Sequence, residues 1–262
     1  MLSSSANRLL RGVAISALAV LTAASCALPL ASSVEMDSLG EQEFEKIRKK
    51  TPVSTNGRER TYVNCITNAI VAELSAPFTE IEWEVEVFDD EEMNAFALPG
   101  GHIGVNNGIF KAATNADQLA AVIGHEIAHV TEEHARKRVN REMTTQMGVM
   151  GAAILTGTGE LGAQLGGMVT QLGISLPFSR GEESEADTVG QRLMAAAGFD
   201  PRQAVPLWQN MQKKGKGGPP ALLSTHPSSS KRIEDLIAGL PETLVVYNTA
   251  RSAGKVPKCQ AP

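Results

Sequence analysis

The chain has 262 residues, 42% hydrophobic and 20% charged, with a formal net charge of −5, which suits one globular domain with or without a tail. The acidic balance and an aromatic content of only 4% exclude a nucleic-acid surface, which needs a cationic face and stacking rings. No repeat with a period of about 20–50 residues is present, so an appended solenoid is excluded as well.

The first 26 residues, "MLSSSANRLLRGVAISALAVLTAASC", carry Arg8 and Arg11, then an apolar run from Val13 to Leu21, then small residues. This pattern predicts a secretory signal peptide over 1–25, too short and wrongly flanked for a membrane span. Its end, "TAASC", resembles a bacterial lipobox, with Ala23 where Leu is commoner, so cleavage is expected to leave a lipidated Cys26. Losing two arginines takes the mature charge from −5 to −7. A lipid anchor, and not a basic patch, would then hold the protein to a membrane. Cys65 and Cys259 remain as an even pair in an exported chain, which predicts a disulfide tying the C-terminal tail (241–262) to the first helix of the domain.

Residues 26–58 read as a lipid-anchored tether with a short helix. Apolar residues at Val63, Ile66, Ile70 and Leu74 then mark a helix that ends before Pro77. "IEWEVEVF" alternates, with Ile81, Trp83, Val85 and Val87 on one face, and predicts a half-buried strand. "NAFALPGGHIGVNNGIF" predicts two more strands around a Pro-Gly-Gly turn. Thr114 or Asn115 is placed to cap a helix running to about Val139. Residues 143–178 are rich in Gly, Ala, Met, Leu and Thr with one charge, Glu160, and are expected to form an apolar flap or helical hairpin beside the site. "ESEADTVGQRLMAAAG" predicts a helix closed by Gly198, and Asp200-Pro201 starts another. "KGKGGPP" is expected to be a loop, and "KRIEDLIAGL" the last helix.

"GHEIAHV" carries the chemistry. On a helix His125 and His129, four apart, point at one place, and neutral imidazoles are good zinc ligands. Glu126 projects about 100° away from His125, beside the ion, where it can take a proton from the attacking water. His134 follows His129 by five residues, and a continuing helix would rotate it about 140° away from the metal. The longer metzincin motif needs Gly at 132 and His at 135, where this chain has Glu132 and Ala135. A third ligand is better sought in "SRGEESEAD". There Glu183 and Asp187 share a helical face, one to ligate and one to accept the spare N–H of a ligating histidine. Spacing alone does not choose between Glu182, Glu183 and Glu185.

The two motifs together resemble metallopeptidase family forty-eight, which includes the CAAX prenyl endopeptidase and HtpX. The form S-R-x-x-E-x-x-A-D is met by Ser179, Arg180, Glu183, Ala186 and Asp187. The likeness extends to "NAFALPGGHIGV" and "STHPSSSKRI" and covers most of residues 60–240. It implies that His125, His129 and Glu183 hold one Zn2+ per chain, that Glu126 is the catalytic base and that Asp187 orients a histidine. It also implies a zincin-like α+β fold, mostly helical with a small mixed sheet, in a metallopeptidase domain over 59–240. The lipobox, "YVNCITNAI" and the short C-terminus are most similar to the LoiP-like periplasmic lipoprotein branch.

The strand through Asn94, Ala95 and Phe96 would lie beside the zinc, where an unpaired edge can bind an extended peptide as an added strand. His226, before Pro227, is a candidate donor to the oxyanion or a removable occupant of the fourth zinc position. The reading is a zinc endopeptidase of a Gram-negative periplasm, lipid-anchored in the outer membrane, that cuts unfolded or misfolded envelope polypeptides. Its rivals are a latent protease acting mainly as a chaperone or binding protein, and a structural zinc protein.

Overall fold

The structure is a computed structural model and describes residues 31–156, 177–214, 221–226 and 230–262. The expected signal peptide, Cys26, residues 157–176 of the expected flap and most of "KGKGGPP" lie outside the described residues. The architecture is helical around a small sheet, as the resemblance implies. No helix among the described residues is long and apolar enough to cross a membrane.

Helix α1, Ser33–Lys50, starts at Ser32, where Ser32 and Glu35 cap each other's backbone amides. It is more than the short helix expected. Met36, Gly40 and Phe44 are buried, and Phe44 meets the rings of Phe88 and Phe96. Helix α2, Gly57–Val71, buries Tyr62, Val63, Ile66 and Ile70 in the main core, the stripe that the 3.6-residue period predicts.

Strands β1, Glu84–Phe88, β2, Ala95–Leu98, and β3, His102–Asn106, form a mixed sheet in the order β1-β3-β2. β1 runs parallel to β3, and β2 pairs with it antiparallel through the turn in which Gly100 and Gly101 take φ of 85° and 87°. Thus β2 is an edge strand. The glutamates of β1 are not merely solvated: Glu84 and Glu86 pair with Arg48 of α1.

Helix α3, Ala116–Thr131, is capped by Asn115, whose side chain accepts from the Gln118 amide. It does not run on to Val139 as expected. It ends at Thr131, Glu133 takes φ 52°, and α4, His134–Thr156, begins in a new direction. A left-handed glutamate is uncommon and costs roughly 1–2 kcal/mol, so tertiary contacts on either side of the break must hold it there. The backbone of the glycine-rich segment is helical as far as Thr156.

Helix α5, Arg180–Ala196, is followed by Gly198 at φ 90°. A 3-10 turn at Pro201–Gln203 capped by Asp200 leads into α6, Ala204–Lys214. A short α7, Ala221–Thr225, precedes α8, Ser230–Ser252. α8 passes through Pro241, so residues 241–252, expected to be tail, are helical. Sequence periodicity misplaces this end because proline normally stops a helix. Cys65 and Cys259 are joined as predicted, across a separation of 194 residues. Closing so long a loop removes denatured-state entropy worth about 5 kcal/mol in the chain-entropy account.

Candidate metal centre and peptide groove

Two helices that cross very closely build the site. A Cβ on Gly124 would sit 2.8 Å from the carbonyl oxygen of Gly190, and one on Gly190 would sit 2.7 Å from the His125 amide. Only glycine at both positions lets α3 and α5 approach this far. The contact brings His125 and His129 of α3 against Glu183 of α5. Together with His226, just after α7, their donor atoms all lie within 4.8 Å of one another, and all four residues are buried.

The acids that spacing could not tell apart have separate tasks. Glu182 closes a capping box with Ser179 and accepts from Arg141 at 3.2 Å. Glu185 turns to the other side of α5 and meets His134 Nε2 at 3.1 Å. Glu183 faces the histidines: its Oε1 is 2.9 Å from His226 Nδ1 and 3.6 Å from His129 Nε2. Asp187, one turn on, accepts from His125 Nδ1 at 3.0 Å, which leaves Nε2 as the free lone pair.

Arg232, in the first turn of α8, is the strongest feature that sequence reasoning passed over. Its Nε and Nη2 reach Asp187 at 2.5 and 2.7 Å, and its Nη1 lies 2.9 Å from Glu183 Oε2. The guanidinium is stacked 3.5 Å over the Trp208 ring, and Nη2 lies 3.1 Å from the His125 ring nitrogens. One buried cation thus balances two buried carboxylates. Phe178 was also missed; its ring stacks on His129 at 3.8 Å between centroids. "STHPSSSKRI" contained Arg232, but no local period links it to Asp187.

The electrostatics fit a cation. Burial alone would raise Glu183, yet hydrogen bonds with His125 and His226 outweigh it and hold the carboxyl well below its usual range. Burial and then the charges of His125 and His226 push His129 well down, so it offers a lone pair. Burial and the Arg232 charge push His125 down too, but its bonds to Asp187 and Glu183 win and raise it to about 9. A metal at Nε2 therefore competes with a proton there, so metal affinity should fall as pH falls. The Nε2 atoms of His125 and His129 are 3.1 Å apart, close to the ~3.3 Å that a tetrahedral zinc about 2.0 Å from each would impose. Glu126 is buried, its pKa is raised chiefly by that burial, and its Oε1 has no hydrogen-bond partner among the described residues. An unpartnered buried carboxylate oxygen beside such a cluster is costly unless the chemistry uses it. The donor set therefore fits a metal ion.

His226 is not an exposed loop histidine. It is 3% exposed, with Nε2 3.6 Å from Glu126 Oε1. Outside the cluster, a groove of about 460 Å³ is lined by Phe96, Ala97, Glu126, His129, Phe178 and His226, among others. The register of β2 decides what that wall offers. The Asn106 amide donates to the Asn94 carbonyl, so the pairs Asn94–Asn106, Phe96–Gly104 and Leu98–His102 exchange the sheet's hydrogen bonds. Ala95 and Ala97 point their amides and carbonyls the other way, and neither makes a backbone bond outside the sheet among the described residues. Ala95 is buried and Ala97 half-buried, and both border the groove. Asn94 and Phe96 border it too, so the whole expected trio lies along the groove, with the Asn94 carbonyl engaged by β3.

The chain is similar in sequence to several curated metallopeptidases and proteases. The chain is 38% identical over 191 residues to "Mitochondrial metalloendopeptidase OMA1" of Schizosaccharomyces pombe, covering 72% of this chain and 55% of that protein. It is 29% identical over 210 residues to "Beta-barrel assembly-enhancing protease" of Yersinia pestis, covering 76% and 42%. The protein of that name in Escherichia coli is 28% identical over 227 residues, covering 82% and 45%. The chain thus spans about half the length of these curated relatives. The profile of peptidase family M48 matches residues 57–238, which include all four converging donors, Glu126, Asp187 and Arg232. On motif, geometry and profile together, this chain belongs to peptidase family M48.

Proposed function

We propose that the protein is a zinc-dependent endopeptidase that cuts extended stretches of unfolded or misfolded polypeptide in the cell envelope. The observation that carries this reading is the unpartnered Oε1 of Glu126, buried next to a His–His–Glu cluster at the foot of the groove. His125, His129 and Glu183 would hold the zinc. When bound there, zinc polarises the scissile carbonyl and lowers the pKa of a water. Glu126 takes the proton from the attacking water and returns it to the leaving amine. Asp187 holds His125 in the ligating tautomer, and Arg232 holds Asp187 and Glu183. His226 is placed to donate to the oxyanion.

Ala97, half-buried at the groove, would pair with substrate as the start of an added strand, which only an extended chain can supply. Ala97→Pro removes one outward amide without breaking a bond to β3. It is expected to raise KM about tenfold, the worth of one hydrogen bond, with metal content unchanged. Reduced, unfolded casein assayed beside a tightly folded protein of similar size checks the substrate class; equal cleavage of both would refute it. A periplasmic location is supported by the signal-peptide pattern of residues 1–25 and by the disulfide, which persists in an oxidising compartment. Lipidation at Cys26 and the outer membrane belong to the same proposal.

One observation favours a second reading, a latent form that binds more than it cuts: His226 lies within the same donor set as the three ligands. Occupying the fourth position, it would keep water out. His226→Ala is expected to speed casein cleavage if the histidine closes the site and to slow it if the histidine serves the oxyanion; an unchanged rate would remove His226 from both roles.

A further inference from the structure

His134 and Glu185 have no part in the proposed mechanism, yet the fold goes out of its way to place them. On an unbroken helix His134 would point away from His129. Instead α3 stops, Glu133 adopts φ 52°, and His134 swings back until its Nδ1 is 2.9 Å from His129 Nδ1. Its ring is wholly buried, lies 4.9 Å from the His129 ring at 70°, and presents Nε2 to Glu185 Oε2 at 3.1 Å. A strained non-glycine residue persists where surrounding contacts over-determine it, and the contact between the two histidines is one of those made across the break.

We propose that Glu185 and His134 form a relay that fixes the tautomer and orientation of His129, as Asp187 does for His125. The hydrogen-bond chain has one self-consistent direction. A carboxylate only accepts, so His134 carries its proton on Nε2 and donates it to Glu185. That leaves a lone pair on His134 Nδ1, which accepts the Nδ1–H of His129. His129 Nε2 is then bare and faces the donor cluster. The ligand histidines are thus held from opposite sides, one through a carboxylate directly and one through a carboxylate and an interposed imidazole. His134 and Glu185 are positioning residues, since neither reaches the reacting atoms. The inference rests on the reading of His129 as a ligand, and its test tells the two apart.

The test uses the full chain with Glu185→Ala, Glu185→Gln, His134→Phe, His134→Asn and His129→Ala. Zinc affinity is read by competition with a chromogenic chelator, and the His129 tautomer by ring nitrogen NMR of histidine-labelled, metal-free protein. Wild type is expected to show His129 protonated on Nδ1. Glu185→Ala and His134→Phe are expected to mix the tautomers and weaken zinc binding about 10- to 100-fold. Glu185→Gln is expected to recover most of both, because the amide oxygen still accepts from His134 Nε2, and His134→Asn is expected to recover the tautomer in part, because its amide oxygen can stand at the Nδ1 position and accept from His129. The Glu185 side chain is 48% exposed, so Glu185→Ala folds even if His134→Phe does not. A wild-type tautomer and wild-type affinity in Glu185→Ala would overturn the relay. Undiminished zinc binding by His129→Ala would instead overturn the ligand assignment, and the tautomer of His129 would still decide the relay.

Discussion

Glu126→Gln is expected to keep its fold and its metal while losing peptide cleavage by about 100- to 10,000-fold, the usual worth of a general base. The carboxamide is the same size and also polar, so the buried position is not left empty. What it lacks is a site that can accept and return a proton. Burial already raises the pKa of Glu126, which moves it toward the range where a base both takes a proton and gives it up at neutral pH. Because Glu126 points beside the cluster and not into it, three ligands remain. A casein digest of both proteins, with zinc measured on each, checks the outcome. Cutting at the wild-type rate would refute the mechanism. Tight binding of casein by both proteins with no cleavage by either would establish the binding protein instead.

Arg232→Met is expected to destabilise the metal-free protein by about 3–5 kcal/mol, the cost of leaving buried charges without their partner. Methionine fills much of the volume and keeps contact with Trp208, so the loss reports charge more than packing. Two acids, Asp187 and Glu183, would then share a buried space without the cation that separates them. Zinc supplies positive charge to the same place, so the penalty should shrink in zinc-loaded protein. Urea unfolding of both proteins with and without zinc measures this difference. Lysine should rescue little, because a point charge neither grips Asp187 with two bonds nor stacks on an indole. A loss below about 1 kcal/mol in the metal-free form, within the range of an exposed ion pair, would show that Arg232 is not what balances the acids.

The legible part of the site was local. His125 and His129 share a face because helical residues four apart do so in any fold. Asn115, one of the two residues expected to cap the motif helix, does so. The alternation in "IEWEVEVF" made a strand, and the parity of cysteines predicted the bond from Cys65 to Cys259. His134 stays outside the donor set, as its five-residue spacing from His129 predicts, but a continuing helix would not have turned it back onto His129, and nothing in "HVTEEHARK" announces that Glu133 will leave it. Proline at 241 misled in the opposite sense, marking an end where α8 continues.

By itself, then, the sequence determined which side chains could do metal chemistry and which helices carry them, since periodicity, caps and residue chemistry act over a few positions. Tertiary structure decided how those side chains are shared out. Glu182 caps, Glu183 faces the cluster and Glu185 turns to His134, according to where α5 meets its neighbours. Arg232 lies 107 residues from His125 in sequence and touches it in space, because Gly124 and Gly190 let α3 and α5 close on each other and α8 packs against α5. Contacts of that range arise from the packing of whole helices, which no local pattern encodes.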